Sequence, residues 1–412
     1  MSDPHRGSDD TEPRDRRAPR APARRGRASD PRAAAATRAL DLRHLAVVDG
    51  HCHPFLRDPW TLTAETFLDR FSEGRPGTMS AHVPHTGYFH RAVRGLAERL
   101  GCAPSVEAVL EARRAAGPDG IRRLFDEARV AGLLVDTGYP PDAMSLGDMR
   151  AALGCQIYEV WRIETCAQSL LSRALDYPDF LDAFRAELRA AAGRAAALKS
   201  IIAYRSGLAV ARWPPAEAAR AYAGVIERVR AGGSARLEEK PLLDTLFEIA
   251  LDVCRETGRP LQVHAGFGDP DIDLPVANPA LLRPILEDAQ GEGVRIAILH
   301  MAYPYFREAA FMAAVWPQVF VDLSLALPFL GPAIAPAFAE MLSLAPASKL
   351  LYGSDVGGLP ELFPMCADWG RAALGEALGW LIARGALTLD EARDAARRVL
   401  SGTAVALYGL DA

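Results

Sequence analysis

Leu45-Ala-Val-Val-Asp49-Gly50-His51-Cys52-His53 is the stretch on which the fold turns. It opens as an apolar run of strand type and ends in two histidines two residues apart, which an extended backbone places on one side. Further along, short runs of the same kind recur at Gly132–Asp136, Gln156–Ile163, Leu198–Tyr204, Pro260–His264, Val294–His300, Val319–Leu323 and Lys349–Gly353. With Leu45–Asp49 they make eight candidate strands. Several are nearly continuous apolar runs (LQVHA, RIAILH, VFVDLSL), as strands buried on both faces are. Stretches of helical period such as Pro241–Gly258 and Pro279–Gly291 lie between them. Eight strands alternating with helices give an α/β chain whose expected architecture is a (β/α)8 barrel. A doubly wound open sheet is the alternative that spacing leaves standing.

Composition sets the frame for that reading. The 412 residues are 24% charged and 50% hydrophobic, ordinary for a globular protein, and the length fits one large domain. Of 47 basic and 52 acidic residues, the first 40 positions hold ten Arg against six acids. The remaining 37 basic and 46 acidic residues leave residues 41–412 at net −9, a poor surface for nucleic acid. No run of 18 apolar residues is present, which excludes a membrane helix, and the first residues have no apolar leader. Six scattered Cys without CxxC spacing read as reduced thiols, so a cytoplasmic location is expected. Residues 1–40, rich in Arg, Pro, Ala and Asp, are expected as a disordered tail and 41–412 as the barrel. About 75 residues separate the first two strands, with helical signals at Thr63–Phe71, His90–Gly101 and Ser105–Ala115. This insertion, about 55–128, is expected to cap the catalytic face.

Four of the nine His sit at candidate strand ends: His51 and His53 after the first strand, His264 ending the fifth, His300 the sixth. Asp355 follows the eighth in Tyr-Gly-Ser-Asp. The C-terminal strand ends of a barrel converge on one mouth, so these five side chains should meet there. Imidazole and carboxylate are donors that zinc and similar divalent ions favour, and one or two ions would suit the set. Singly, an HxH pair is often incidental and a strand-end His is often a buried structural one. The ordered set argues for a metal site.

These residues resemble the pattern of the amidohydrolase superfamily, in its amidohydrolase-related branch. Within it, Leu198-Lys-Ser-Ile-Ile-Ala-Tyr-Arg-Ser-Gly-Leu208 and Leu134-Val-Asp-Thr-Gly138 look like the FluG-type amidohydrolase domain. The resemblance spans residues 45–410. It implies a (β/α)8 fold, metal ligation by His51, His53, His264 and Asp355, and His300 as a ligand or a polarising group. It also implies a functional link to a glutamine-synthetase-like enzyme and γ-glutamyl amides as a substrate class.

Lys199 stands out because the chain has three Lys against 44 Arg. A Lys kept on strand 4 suggests a task Arg cannot do: carbamylation to bridge two metals, or a titratable amine near the site. The alternative is a strand-start residue on the opposite barrel face. Arg162 and Glu164 are expected on one face near the end of strand 3, with Arg205 after strand 4. Arg can clamp a substrate carboxylate through two parallel bonds, although Arg162 and Glu164 could equally pair with each other. His85, Tyr88 and Arg91 in the insertion are candidate substrate contacts or lid-packing groups. Asp355 and His300 are the expected catalytic pair. The expected activity is metal-dependent hydrolysis of an amide C–N bond in a small carboxylate-bearing molecule, in a chain that is possible as a homo-oligomer. A metal-dependent decarboxylase and a non-catalytic barrel are the other readings.

Overall fold

The computed structural model describes residues 39–140, 142–288 and 293–411. The tail expected over 1–40 falls, apart from its last two residues, outside them. Strands β1 (Val47–Cys52), β2 (Val130–Asp136), β3 (Gln156–Arg162) and β4 (Ala197–Ser200) are followed by β5 (Leu261–Val263), β6 (Ile296–Ile298), β7 (Val319–Asp322) and β8 (Leu350–Leu351). They form one parallel sheet in chain order. A doubly wound sheet reverses its strand order at a switch point; this order has none, so the open-sheet alternative falls. The Gly50 amide donates to the Tyr352 carbonyl and the Asp355 amide to the His51 carbonyl, both at 2.9 Å, and so bring the sheet's two edges together.

Period-2 alternation divides each strand between two cores. Leu133 and Val135 join the large core between sheet and helices, while Leu134 joins a smaller one with Val48, Val160, Ala197, Ala297 and Leu351. That smaller set fills the barrel, and Ala404, Leu407 and Tyr408 of the C-terminal helix Thr403–Tyr408 pack into it. Moving two residues along the strands from this apolar layer reaches Asp136, Arg162 and Lys199. Their inward direction follows from the alternation.

Two strands stop short of their expected ends. β4 ends at Ser200, where Ser200 Oγ accepts the Ile202 amide at 3.1 Å and turns Ile202–Tyr204 into a 3₁₀ turn. Side chain to backbone bonds of this kind compete with the ladder. After β6, His300, Met301 and Ala302 have φ of 65°, 53° and 49°, which ends the strand before His300.

Between β1 and β2 lie the helices Ala64–Leu68, Gly87–Leu100 and Val106–Glu127. Thr86 caps the second through the Phe89 amide, and Gly101 ends it at φ 67°, a left-handed position suited to glycine. The third runs beyond the expected Ala115 and kinks at Gly117, beside Pro118, whose ring removes an amide donor. Among the described residues no helix is long and apolar enough to cross a membrane.

One buried ion pair ties the insertion to the barrel. Arg113 meets both oxygens of Glu361 at 2.6 and 2.9 Å and donates to the Pro59 carbonyl at 3.0 Å, with both side chains almost fully buried. Removing one partner strands the other charge, whereas replacing both with apolar groups removes the penalty altogether. Glu361→Ala should therefore lower unfolding free energy by ~3–5 kcal/mol, and an Arg113→Met, Glu361→Leu pair by far less, as read from denaturant midpoints.

Candidate metal centre

The mouth above the apolar layer gathers the strand-end residues. Asp355 Oδ1 lies 3.0 Å from His51 Nε2 and 3.5 Å from His53 Nε2. His300 Nε2 and His264 Nδ1 are 2.9 Å apart, and the His51 and His300 ring centres are 5.6 Å apart. Two sets of donor atoms each fall within 4.8 Å of one another: His51, His53 and Asp136, and His51, His300 and Asp355. Asp355 and His300 reach inward from backbones in the left-handed region, at φ 58° and 65°. Non-glycine residues there cost on the order of 1–3 kcal/mol and persist where the surroundings hold them, commonly at functional sites.

Two of the imidazoles, His51 and His300, are oriented from behind. Gln262 Nε2 donates to the Gly50 carbonyl at 2.8 Å, which directs Oε1 to His51 Nδ1 at 2.9 Å. This assigns the proton to Nδ1 and leaves the Nε2 lone pair facing Asp355. Tyr408 in the barrel plug meets the same Gln262 amide at 2.9 Å. His300 Nδ1 lies 2.9 Å from Ser324 Oγ, which in turn donates to Asp322, and Asp322 accepts the His300 amide at 3.1 Å. Gly353 permits this approach, since a Cβ there would lie 1.9 Å from Asp322 Oδ2.

Electrostatics sort the donors. Burial pushes the His51 pKa down to about 4, with Lys199 adding to the shift, and burial lowers His300 to about 3. Burial, with His300 next to it, holds His264 well below the usual imidazole range. All three rings therefore favour the neutral form at pH 7, in which each keeps one ring nitrogen as an acceptor. Burial opposes the charge on Asp355, yet the surrounding His300, His51 and His53 rings outweigh it and keep the carboxyl well below its ordinary range. Asp136 is likewise held low: burial opposes its charge, but Arg162 and Lys199 more than compensate. Lys199 Nζ is 2.9 Å from Asp136 Oδ2 and 2.8 Å from His51 Nε2, and Arg162 donates to Asp136 at 2.5 and 3.2 Å.

Protein cations thus neutralise Asp136, while the close partners of Asp355 are imidazoles. His264 Nε2 and Asp355 Oδ1 are buried polar atoms without hydrogen-bond partners. Imidazole donors, a carboxylate held in its ionised form and two orphaned donor atoms at one mouth, with His51, His300 and Asp355 atoms within 4.8 Å of one another, fit a divalent cation.

A cavity of about 760 Å³ opens over this cluster, lined among others by His53, Lys199, His264, His300 and Asp355. The remaining sequence candidates divide. Arg162, Arg205 and Tyr88 line it. Glu164 does not share a face with Arg162: it opens the helix Ile163–Leu171, buried, and accepts Ser200 Oγ at 2.6 Å and the Ile201 amide at 3.0 Å. Arg162 pairs with Asp136 instead. His85 is exposed and outside the cavity wall. Arg91 is also outside it, stacked 3.8 Å over the Trp369 ring and bonded to the Pro328 carbonyl. Lys199 is 2% exposed and at the mouth, so the opposite-face placement fails.

Several groups at or beneath the mouth escaped the sequence reading. Asp136 and Asp322 end β2 and β7 just as His264 follows β5, and the same strand-end criterion applied to acids would have found them. Tyr204 fell inside an expected strand, yet its ring centre lies 4.3 Å from that of His264 and its hydroxyl accepts the Asp269 amide at 3.1 Å. Gly268 makes room for it, since a Cβ there would lie 1.8 Å from the hydroxyl.

Comparison with known proteins agrees with this geometry. The chain is 28% identical over 409 residues to protein fluG of Emericella nidulans, covering 90% of this chain and 47% of that one. It therefore spans about half the length of that curated relative. A Lactobacillus casei crystal structure, provisionally named a metal-dependent hydrolase, superposes with a TM-score of 0.82 at 26% identity, covering 90% of this chain and 98% of that one. A uronate isomerase of Thermotoga maritima shares the fold alone, with a TM-score of 0.64 at 15% identity over 89% of this chain and 95% of that one. The family model described as amidohydrolase matches residues 170–410, more than half of the sequence, and the chain belongs to the amidohydrolase family.

Proposed function

We propose that this protein hydrolyses the amide C–N bond of a small carboxylate-bearing compound, with a divalent ion, Zn²⁺ by its donor set, held by His51, His53, His264 and Asp355. γ-Glutamyl amides are the substrate class to test first. The observation that carries the reading is the ionised Asp355 among neutral imidazoles, under a cavity with spare guanidinium donors. When bound, the ion supplies Lewis acidity to the scissile carbonyl and lowers the pKa of water.

The chain's own groups do the rest. Asp355 Oδ1, without a hydrogen-bonded partner, takes the proton of the attacking water and returns it to the leaving nitrogen. The Tyr204 hydroxyl accepts from the Asp269 amide, which leaves its own hydrogen to donate. Burial holds its pKa well above the usual phenol value, so that hydrogen is retained at pH 7. It serves as a donor to the oxyanion formed at the carbonyl. His300 donates its Nδ1 hydrogen to Ser324 and would offer Nε2 to the ion. At the rim, Arg70 and Arg205 line the cavity with a buried Nε that has no partner, and they suit the substrate carboxylate.

Metal analysis of the purified protein and product analysis on γ-glutamyl amides test the reading together. Amine or ammonia release that a chelator abolishes and metal restores is the expected result; carbon dioxide from a carboxylated substrate would replace it with a lyase. His51→Ala, His53→Ala protein should retain its circular dichroism but hold less than ~0.1 equivalents of metal and lose activity, because two ligands are gone.

Lys199→Ala should keep one equivalent of metal and lose turnover without rescue by short carboxylic acids. Two equivalents in the natural protein, falling to one in the variant, would instead make Lys199 a bridging carbamate. Tyr204→Phe should lower kcat by roughly 10²-fold with KM nearly unchanged, the signature of a lost oxyanion donor.

A further inference from the structure

The turn Asp69–Phe71 and the residues after it lean over the metal mouth from the β1–β2 insertion, and the proposed mechanism leaves its carboxyl unused. Phe71 anchors the turn: it is 1% exposed, with ring centres of Phe67, Tyr88 and Phe89 at 5.1, 5.2 and 5.3 Å. The Gly77 amide donates to Asp69 Oδ1 at 2.8 Å and closes the loop behind it. Held this way, Arg70 and Glu73 both face the cavity. Arg70 Nε is buried with no hydrogen-bonded partner. Glu73, three residues on, makes no hydrogen bond or ion pair among the described residues, and it is part-buried. Burial pushes its carboxyl up to about 8, with the Asp355 and Asp269 charges adding to the shift and Arg70 opposing it. The hydroxyls of Tyr88 and Tyr204 also feel its charge.

An unpartnered acid and an unpartnered base on one anchored turn, facing one cavity, match a ligand end that carries both charges. We propose that Glu73 and Arg70 read the α-amino acid end of the substrate, Glu73 binding its ammonium group and Arg70 the adjacent carboxylate. This rests on the amide-hydrolase reading for which bond is cut, but the recognition itself is a binding property. A substrate ammonium would supply the cation that Glu73 lacks, with the Asp269 carboxylate on the same cavity wall. Its binding favours the ionised carboxylate and expels the proton.

Calorimetry of the metal-loaded protein with L-glutamate and with glutarate, which differ only in the amine, tests this. Glutamate should bind at least ~10-fold tighter, the equivalent of ~1.4 kcal/mol. Glu73→Gln should bring the two affinities within about twofold. Arg70→Gln should weaken both ligands together. Equal affinities in the natural protein, a preference that survives Glu73→Gln, or no binding of either ligand would overturn the assignment. If the preference appears while γ-glutamyl amides stay intact, the hydrolase reading fails and this one stands.

Discussion

The mouth of this barrel is organised by an imbalance between two carboxylates. Asp136 and Asp355 are both deep in the site, and burial works against the charge of each. An ionised carboxylate in such surroundings needs a partner, because the desolvation penalty runs to several kcal/mol. The protein gives Asp136 two cations, Lys199 and Arg162. Among the described residues it gives Asp355 imidazole rings and no Lys or Arg ion pair. Everything else at the mouth follows from keeping those rings neutral, oriented and close. A third cation beside Asp355 would have completed the pairing and removed the chemistry.

Keeping them oriented takes a second set of buried polar groups, which reaches down into the apolar plug. Gln262 holds His51 and is itself held by Tyr408, a residue of the last helix. The C-terminal segment is thus both the bottom of the barrel core and the far end of the hydrogen-bond chain that fixes a ligand. Asp322 and Ser324 do the same for His300, while the Asp49 carboxylate takes the Ser354 amide and hydroxyl next to Asp355. Burial raises the Asp49 and Asp322 carboxyls to about 8 and about 7. Raised carboxyls bind more protons folded than unfolded, so their contribution to stability declines as pH rises from about 4 towards those values. Buried neutral histidines act in the opposite sense, costing stability as pH falls below about 6.5.

Most of the barrel was legible in the sequence because its strands are apolar on both faces and its ligands sit at strand ends. His51, His53, His264, His300 and Asp355 needed only that rule. The rule worked less well where local bonding overrode strand period. Ser200 ends β4 by capturing the Ile202 amide, which moved Tyr204 from an expected strand to the cavity wall. Glu164 left its expected face because Arg162 is the last residue of β3 and a helix begins at the next position. The insertion was legible as helices but not as a surface. His85, Tyr88 and Arg91 share one stretch, yet only Tyr88 reaches the cavity, and the helical signal at Thr63–Phe71 does not mark Arg70 or the following Glu73 as facing it. The position of the Asp69–Phe71 turn depends on how Phe71 packs, which is tertiary information.

Lys199 shows how residue type can be read against the composition of the chain. In a protein with 44 Arg and three Lys, the cation at the centre of the site is a Lys. Its single nitrogen sits 2.8 Å from His51 Nε2 and 2.9 Å from Asp136 Oδ2, two acceptor atoms on different strands that converge on one point. An ammonium group satisfies such a point, because its three hydrogens radiate from one atom. A guanidinium presents donors across a rigid plane and suits two acceptors lying side by side. Arg162 already occupies the planar approach to Asp136, donating through Nε and Nη2. A second guanidinium from β4 would have to enter the space where the imidazoles and Asp355 converge. The convergence of two acceptors on one nitrogen, more than the sign of the charge, accounts for the residue at 199.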